Sequence, residues 1–365
     1  MSKIREWVRS LSTLQIILSL TTMASLLIFL LLTIWCDCKL EGLDDQQAAR
    51  RWSKEGGYAQ VSAFLTEDAA LDDFRIKNFE NQLDTALTEA AVTSENENAR
   101  LFIDAYSAQG SITVVSEQST LEAEAIGIGG DFFFFHPLEL AGGRYFSGED
   151  LMKDFVLLDE EAAWQLFGSN DIEGMSVMIG GVPHYVAGVI RREKGRMAEY
   201  AGLKKSVIYV SYETLSEYGI SEGISCYEVV APNPVNNFVY HAVKEKMGLR
   251  EDEMMVIENS SRYSIESMIL AISDFGTRSM QNAAIHLPYW ENIARGYEDI
   301  RAAVLLAQMI LLLIPGAIIF VFLLIKWKHR KYKWKDIWIF FSDKKGSLFK
   351  RAGKRENGGA YEKEN

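Results

Sequence analysis

The five histidines are the residues most able to bind a metal or to move a proton at neutral pH, and they are scattered singly. His136, His184, His241, His286 and His329 form no pair spaced by four residues. None is accompanied by the glutamate of a zinc-hydrolase motif. The sequence therefore predicts no metal site.

Phosphate binding and nucleophilic catalysis are not indicated either. The GIGG segment (127–130) has no following lysine and leads into the apolar residues 132–135, which we interpret as a strand rather than a phosphate-binding helix N-terminus. The sequence contains neither a G-x-S-x-G elbow nor a G-x-x-x-x-G-K-[ST] loop. We expect a non-catalytic protein that needs no cofactor and cannot hydrolyse ATP itself.

The three cysteines do not predict a disulfide framework. Cys36 and Cys38 are separated by one residue, a spacing that would strain a mutual disulfide. Cys226 lies in an apolar segment and is interpreted as a small buried hydrophobic residue.

Two long apolar runs, residues 11–35 and 302–325, determine where the remaining residues lie. Neither run contains a charge, and each exceeds the roughly 20 residues with which a helix crosses a bilayer. The first run is too long for a cleaved signal peptide, and no A-x-A site follows it. We predict a two-pass cell-membrane protein with residues 36–301 on one side.

Charge predicts the orientation. Residues 37–300 carry 44 acidic and 21 basic side chains, whereas both flanks carry net positive charge. Because basic residues near spans stay inside the cell, residues 1–10 and 326–365 are predicted to be cytoplasmic and the large domain extracytoplasmic. Its acidity argues against a nucleic-acid partner.

The predicted domain has an α+β pattern. Residues 57–116 and 219–260 each read as strand, helix and strand, the units of a split β-α-β, ferredoxin-like and porter-type subdomain. In the first unit the helix begins at Thr66 or Asp68, and two strands follow at 99–107 and 111–116. In the second unit the helix begins at Asn233 with proline at its first position and ends at Gly248.

Residues 117–218 form a strand-rich insert in this prediction. A strand at 155–158 leads into a short helix that begins at Asp159 and ends at Gly168. Gly180 and Gly181 between two strands predict a tight hairpin.

The order and spacing of these segments resemble a known family. Three segments are similar to the MacB-like periplasmic core domain. They are GGDFFFFHPLELAGGRYFSGED (129–150), VLLDEEAAWQLFGSNDIEGMSVMIGGVPHYVAGVI (156–190) and VIYVSYETL (207–215). That domain belongs to permeases of the FtsX-type, or mechanotransmission, class of ABC transporters. The resemblance implies a porter-like subdomain, and an insert that meets partner proteins or cargo.

The sequence also differs from the family in the number of its membrane spans. Such permeases carry three spans after the domain, and this sequence shows one. We therefore expect a non-catalytic component of an ABC-type assembly whose outer domain contacts substrate or envelope partners. Its expected partners are the lipid bilayer, a separate ABC ATPase or an FtsX-type permease, and further copies of the chain. The alternative is a membrane-anchored sensor or adhesion module that needs no ATPase.

Two segments next to the spans are candidates for rigid stalks. Residues 41–54 continue the first span with polar residues that a helix tolerates, and residues 289–301 lead into the second span. Helical stalks would transmit movement between membrane and domain, whereas flexible linkers would not.

Aromatic residues follow the second span at helical spacing. Trp327, Trp334, Trp338 and Phe341 lie on one face of a predicted helix whose other residues are mostly basic. This pattern is typical of an interfacial helix that contacts lipid or a partner. A positive stop-transfer flank explains the charge equally well, and a helix that docks the ATPase is a third interpretation.

The second span contains three residues that favour contact with another helix. Gln308, Pro315 and Gly316 interrupt an otherwise apolar run. Lipid offers polar and small residues no partner, so helix packing in the membrane is predicted here. An isolated tilted anchor is the alternative.

Overall fold

A computed structural model describes residues 12–92, 100–192, 195–203, 205–274 and 285–328. The described residues divide into two compact units, of which one lies within residues 33–306 and the other contains residues 12–32 and 307–328. The helices and strands follow one another as α1 (Thr13–Leu40), α2 (Ala48–Trp52), β1 (Tyr58–Leu65), α3 (Asp73–Glu89), β2 (Ile103–Val115), β3 (Thr120–Gly130), α4 (Phe132–Phe135), β4 (Leu140–Gly143), β5 (Phe155–Asp159), α5 (Glu160–Phe167), β6 (Ser176–Ile179), β7 (Val182–Ile190), α6 (Arg196–Ala201), β8 (Val207–Ser211), α7 (Tyr212–Tyr218), β9 (Ile220–Ser221), β10 (Cys226–Pro232), α8 (Phe238–Lys246), β11 (Met254–Glu258), α9 (Ile265–Ser273) and α10 (Tyr289–Lys328).

Helices α1 and α10 are the two described helices that are long and apolar enough to cross a membrane. They have 28 and 40 residues, and only 6% and 11% of their most apolar stretches are buried. A core helix of a soluble protein would bury most of that surface. Their exposed apolar sides therefore fit a lipid environment, as the sequence predicts.

The domain is organised around one mixed sheet of eleven strands. Its main path runs β11-β1-β10-β2-β3-β8-β5-β7-β4, and β6 and β9 pair beside β2. Strand β2 has 13 residues and pairs with β10 near its start and with β3 along its length. The prediction of two strands at 99–107 and 111–116 was wrong, because the alternating side chains continue through Gly110 without a turn.

Helices cover both faces of the sheet and enclose separate apolar cores. Beneath α3 and α8 the core contains the completely buried Phe79, Leu83 and Val243. A second core beneath α5 and α7 contains Leu166 and Leu215. A third is aromatic, and α10 contributes to it with one tryptophan. Its aromatic members are Phe64, Phe132, Phe135, Phe146, Tyr209 and Trp290.

Some predicted element boundaries need correction. Residues 132–135 form the helix α4 and not a strand, because all four are phenylalanines whose alternation cannot define one buried face. Helix α3 begins after Asp72, whose carboxylate accepts the amide of Arg75 at 2.9 Å, and not after Thr66 or Asp68. Helix α8 begins at Phe238 and not at Pro234, although Asn233 does accept the Phe238 amide at 2.9 Å.

Other local predictions are confirmed. Asp159 caps α5 by accepting the amide of Ala162 at 2.7 Å, and Gly168 ends the helix at a φ of 69°. Gly180 and Gly181, with φ of 58° and 81°, form the turn between β6 and β7. These positive φ values explain why glycine is required at both positions.

The two predicted stalks differ in structure. Residues 289–301 are the first part of α10, so the second stalk is one helix with the apolar run. Helix α1 ends at Leu40, and residues 41–54 contain only a 3₁₀ turn (Asp44–Gln46) and the short α2. The prediction of a continuous first stalk was wrong, because this segment hydrogen-bonds to the domain instead.

Candidate functional site: a buried polar network at Arg262

Arg262 forms the densest group of buried charges in the described residues. It follows the 3₁₀ turn Asn259–Ser261, and its guanidinium donates to Glu291 of α10 through two nitrogens, at 2.7 and 2.6 Å. Its Nε donates to Glu298, two turns further along α10. Burial by itself would lower the pKa of Arg262, but the two carboxylates raise it well above its ordinary value. The charged pairs are therefore retained although water is excluded.

A second arginine completes this cluster. Arg295 Nε lies 3.0 Å from Glu291 Oε1, one turn along the same helix. Glu291 therefore accepts from both arginines while it is only 1% exposed. Two arginines and two glutamates balance in charge, which reduces the cost of burying them.

The network continues from Arg262 into the sheet. Arg262 Nη1 donates to Asn259 Oδ1 at 3.1 Å, and Asn259 Nδ2 donates to Ser62 Oγ at 2.7 Å. Ser62 Oγ in turn donates to Glu228 Oε1 at 2.6 Å, across the β1–β10 pair. Both Ser62 and Glu228 are buried, so each link replaces a hydrogen bond to water.

His136 connects Glu228 to the segment that follows α1. Its Nε2 lies against Glu228 Oε2, and its Nδ1 lies 2.9 Å from Asp45 Oδ1. Burial would lower the pKa of His136, but Glu228 and Asp45 raise it to about 9. The ring is therefore doubly protonated at neutral pH and donates from both nitrogens.

Trp290 anchors the same part of α10 by packing. Its ring centroid lies 4.3 Å from that of His136 and 5.8 Å from that of Phe132. The side chain is 2% exposed. Beside it, the hydroxyls of Tyr289 and Tyr209 lie 3.1 Å apart. One turn of α10 thus enters the aromatic core of the domain.

The segment after α1 is fixed to the domain by side chains. Gln60 of β1 accepts the amide of Ala48 at 2.8 Å and donates to the carbonyl of Asp45 at 2.6 Å. Arg51 donates to the carbonyls of Phe134 and Phe135 at 2.6 and 3.1 Å. These contacts explain why the first stalk does not continue as a helix.

An ion pair joins the two span helices where they meet the domain. Asp37 Oδ1 of α1 and Arg301 Nη1 of α10 lie 3.6 Å apart. This is an ion-pair distance just beyond hydrogen-bonding range. Asp37 and Arg301 therefore lie at one level along the two helices.

The network connects residues that are far apart in the sequence. Each of its eight members has a partner inside the network: Asp45, Ser62, His136, Glu228, Asn259, Arg262, Glu291 and Glu298. What the network does is join three parts of the domain: the segment after α1, the central strands and the start of α10. A displacement of α10 relative to the sheet would leave charges buried without partners.

The predicted membrane residues are only partly described. Trp327 lies in the last turn of α10 and is 56% exposed. Trp334, Trp338 and Phe341 lie outside the described residues. Their role as an interfacial contact stays a prediction.

The three residues of the second span lie on α10. Gln308 is 5% exposed, and Pro315 is also buried. A methyl group added at Gly316 would meet no described atom within 4 Å, so this position is open to an approaching helix. The role of the three residues in helix packing stays a prediction.

The network was not found from the sequence, although one signal was present. Polar residues interrupt apolar strand patterns at Ser62 and Glu228, and His136 follows directly on four phenylalanines. Buried polar residues need partners, so these positions could have been proposed as paired. The identity of the partners depends on sheet register, which places Glu228 opposite Ser62.

One exposed group in the described residues has ligand atoms close enough for a metal. Oxygens of Glu67 and Glu222 and a nitrogen of His286 lie within 4.8 Å of one another. All three residues are exposed, and exposed acidic groups are common in proteins without a bound metal ion. The sequence-based prediction of no metal site stays a prediction.

A sheet-rich domain is joined here to two helices that are long and apolar enough to cross a membrane, and the second of them carries the buried ion network. Residues 55–241, which are 187 of the 365, match the MacB-like periplasmic core domain family. The chain belongs to this family, and the resemblance seen in the sequence is confirmed. It is therefore a membrane protein of the ABC permease type.

Individual relatives support the same assignment. The chain is 36% identical over 78 residues to the macrolide export ATP-binding/permease protein MacB of Chromobacterium violaceum, covering 20% of this chain and 12% of the relative. It is 35% identical over 86 residues to the protein of the same name in Agrobacterium fabrum, covering 23% of this chain and 13% of the relative. The chain thus matches only a small part of the length of these relatives.

The chain is also similar, more weakly, to parts of two solved structures. The periplasmic region of MacB from Actinobacillus actinomycetemcomitans is 19% identical, with a TM-score of 0.38. That alignment covers 58% of this chain and 92% of the MacB region. The extracellular domain of the ABC-type transporter YknZ from Gram-positive bacteria is 18% identical, with a TM-score of 0.34, covering 54% of this chain and 99% of the YknZ domain.

Proposed function

We propose that this chain is a non-catalytic component of an ABC-type transport or mechanotransmission assembly. In this proposal its domain contacts substrate or envelope partners outside the cell, and both termini are cytoplasmic. The observation that carries the proposal is the attachment of Arg262 to Glu291 and Glu298. These glutamates lie on α10, the helix that continues as the second apolar run.

The physical argument concerns how movement passes between membrane and domain. A continuous helix transmits a tilt or shift without loss, whereas a flexible linker absorbs it. The ion pairs, together with Trp290 in the aromatic core, hold the first turns of α10 against the sheet. A shift of the span would therefore move the domain as a rigid body. A tether that served only as an anchor would need no buried charges at this point.

The sheet supports a division of roles between two parts of the domain. We propose that β11, β1, β10 and β2, with α3 and α8 on one face, form a split β-α-β, ferredoxin-like and porter-type subdomain. The strand-rich insert then provides the contact with substrate or partner. Its continuity with β2 through the long β2–β3 hairpin keeps the two parts in one sheet.

The energy for movement would come from outside this chain. We propose a separate ABC ATPase, with an FtsX-type permease or further copies of this chain completing the assembly. The last turn of α10 with Trp327, and the basic segment after it with Trp334, Trp338 and Phe341, are the proposed contact with lipid or the ATPase. Gln308, Pro315 and Gly316 are the proposed contact with another membrane helix.

Affinity purification of the full chain in mild detergent tests this function. We expect an ABC ATPase to co-purify in fixed proportion with the chain, together with a full-length permease or with further copies of the chain. A chain recovered only as a homo-oligomer, with neither protein, would overturn the proposal in favour of an anchored sensor or adhesion module. The matched control is a chain with Gly316→Leu, which should weaken the membrane contact but leave the folded domain unchanged.

A further inference from the structure

Helix α9 has one apolar side that nothing in the described residues covers. Ile265, Ile269 and Leu270 are 64%, 53% and 64% exposed. The opposite side is packed: Met268 and Ala271 are 1% and 7% exposed. Three large exposed aliphatic side chains on a helix of nine residues are unusual for a surface in water.

The packed side of α9 shows where the helix lies. Met268 and Ala271 contact Ala302 of α10, and Leu305 packs against the same cluster. Ala302 is the first residue of the apolar run that is long enough to cross the membrane. The residues that touch α9 are therefore the first residues of the second span.

A second observation shows which residues of α1, the other span helix, lie beside Ala302. Asp37 of α1 is paired with Arg301, the residue before Ala302. Trp35, which is 48% exposed, lies two residues before Asp37 at the end of the first apolar run. Tryptophan is enriched at the boundary between lipid headgroups and acyl chains. Both spans thus mark the membrane boundary at the level of α9.

We propose that α9 is an interfacial helix whose face of Ile265, Ile269 and Leu270 inserts into the bilayer on the side of the domain. The occupant of this face is the boundary between headgroups and acyl chains. Its only charge, Glu266, lies in the first turn and can extend to water. Burial of the three side chains holds the domain at a fixed height above the membrane and restricts its tilt.

The sequence around α9 agrees with this position. Ser264 caps the helix by accepting the amide of Ser267 at 3.2 Å, so α9 forms without needing the lipid. Arg262, two residues earlier, is the centre of the buried network, so the approach of α9 to the membrane is fixed by the domain. Lipid contact through α9 would therefore act on the part of the domain to which α10 is attached.

A depth measurement tests the proposal on the full chain in lipid nanodiscs. In a Cys38→Ser background the remaining Cys36 and Cys226 are buried and should not react. An environment-sensitive fluorophore at Ile269→Cys should show blue-shifted emission and be quenched by lipids labelled in the acyl chain. The matched control is Ile220→Cys on β9, which is 77% exposed and should behave as a residue in water.

Each other outcome overturns the proposal. Emission at position 269 equal to that at position 220 would show that α9 faces water. Blue-shifted emission without quenching by lipid would show that a protein surface covers α9 instead. Leu270→Cys and Ile265→Cys repeat the measurement at independent positions, in case labelling at 269 disturbs folding.

Discussion

Arg262 and Glu291 form a bidentate ion pair in which both side chains are 2% exposed. Glu291 lies on the helix that contains the second apolar run, and Arg262 follows the 3₁₀ turn after the edge strand β11. A pair at this position holds the span helix against the domain. Its loss should therefore affect both the stability of the domain and its attachment to the membrane.

Removing the guanidinium should destabilise the domain strongly. With Arg262→Met, Glu291 and Glu298 would stay buried without a positive partner, and such a loss costs about 3–5 kcal/mol. The double variant Arg262→Met with Glu291→Leu should lose less than the sum of the single changes, because no lone carboxylate remains at 291. Thermal unfolding of the full chain in detergent, followed by intrinsic fluorescence, measures both effects.

An exposed ion pair provides the control for this prediction. Arg250 pairs with Glu253 at 2.8 Å, but its side chain is 69% exposed. Arg250→Met should therefore leave the unfolding temperature almost unchanged. An equal loss in the two arginine variants would contradict the special role of the buried pair.

The stability of the domain should fall as pH rises above neutrality. The pKa of His136 is raised to about 9, since Glu228 and Asp45 outweigh its burial. A raised pKa means that the folded state holds the proton more tightly, so the stabilisation is complete below about pH 6.5 and is lost as pH rises through about 9. One unit of pKa corresponds to about 1.4 kcal/mol, so the full loss is on the order of 3 kcal/mol.

A histidine variant separates this effect from general alkaline unfolding. His136→Gln removes the titrating ring. The variant should have a lower unfolding temperature than the wild type at pH 7, and that temperature should change less between pH 7 and pH 9. His241→Gln is the control, because His241 is exposed and its ion pair with Glu245 is a surface contact. A wild-type profile that is already flat in this range would show that His136 is neutral.

Trp290 should contribute to stability through its volume and not through its indole nitrogen. The Nε1 atom is buried and has no hydrogen-bond partner in the described residues. Trp290→Phe should therefore cost much less than Trp290→Ala, for which a loss of about 3–5 kcal/mol is typical. Trp164→Ala is the control, because Trp164 is 60% exposed. Similar losses in the two Trp290 variants would indicate a polar role for the indole.

The architecture was predictable from the sequence to the extent that local patterns define it. The two spans follow from uncharged apolar runs, and the turn at Gly180 and the cap at Asp159 follow from residue types that those positions require. The family resemblance followed from the order of such segments. Each of these features can be recognised along the sequence without knowing which distant segments come into contact.

The candidate site was not predictable because it depends on distant contacts. Ser62 reaches Glu228, and His136 reaches Asp45, only after the sheet register is set. The helix at 132–135 shows the same limit, since four successive phenylalanines give no period of their own. The segment 41–54 is compatible with a helix locally, but the hydrogen bonds of Gln60 hold it in a different path.

A carboxyl pair away from the network should also make stability fall as pH rises, but in a lower pH range and through repulsion. Burial and the neighbouring Asp104 raise the pKa of Glu80 to about 7. For a carboxyl group a raised pKa means that stability is lost as pH rises from about 4.5 to 7, because the folded state must then accept a second negative charge.

Glu80→Gln imitates the protonated form, so it should match the wild type near pH 5 and unfold at a higher temperature at pH 8. The gain should stay at about 1 kcal/mol, since Glu80 is partly exposed and solvent screens the repulsion. Glu89→Gln on the exposed side of the same helix is the control, and a gain as large there would show that the effect comes from net charge alone.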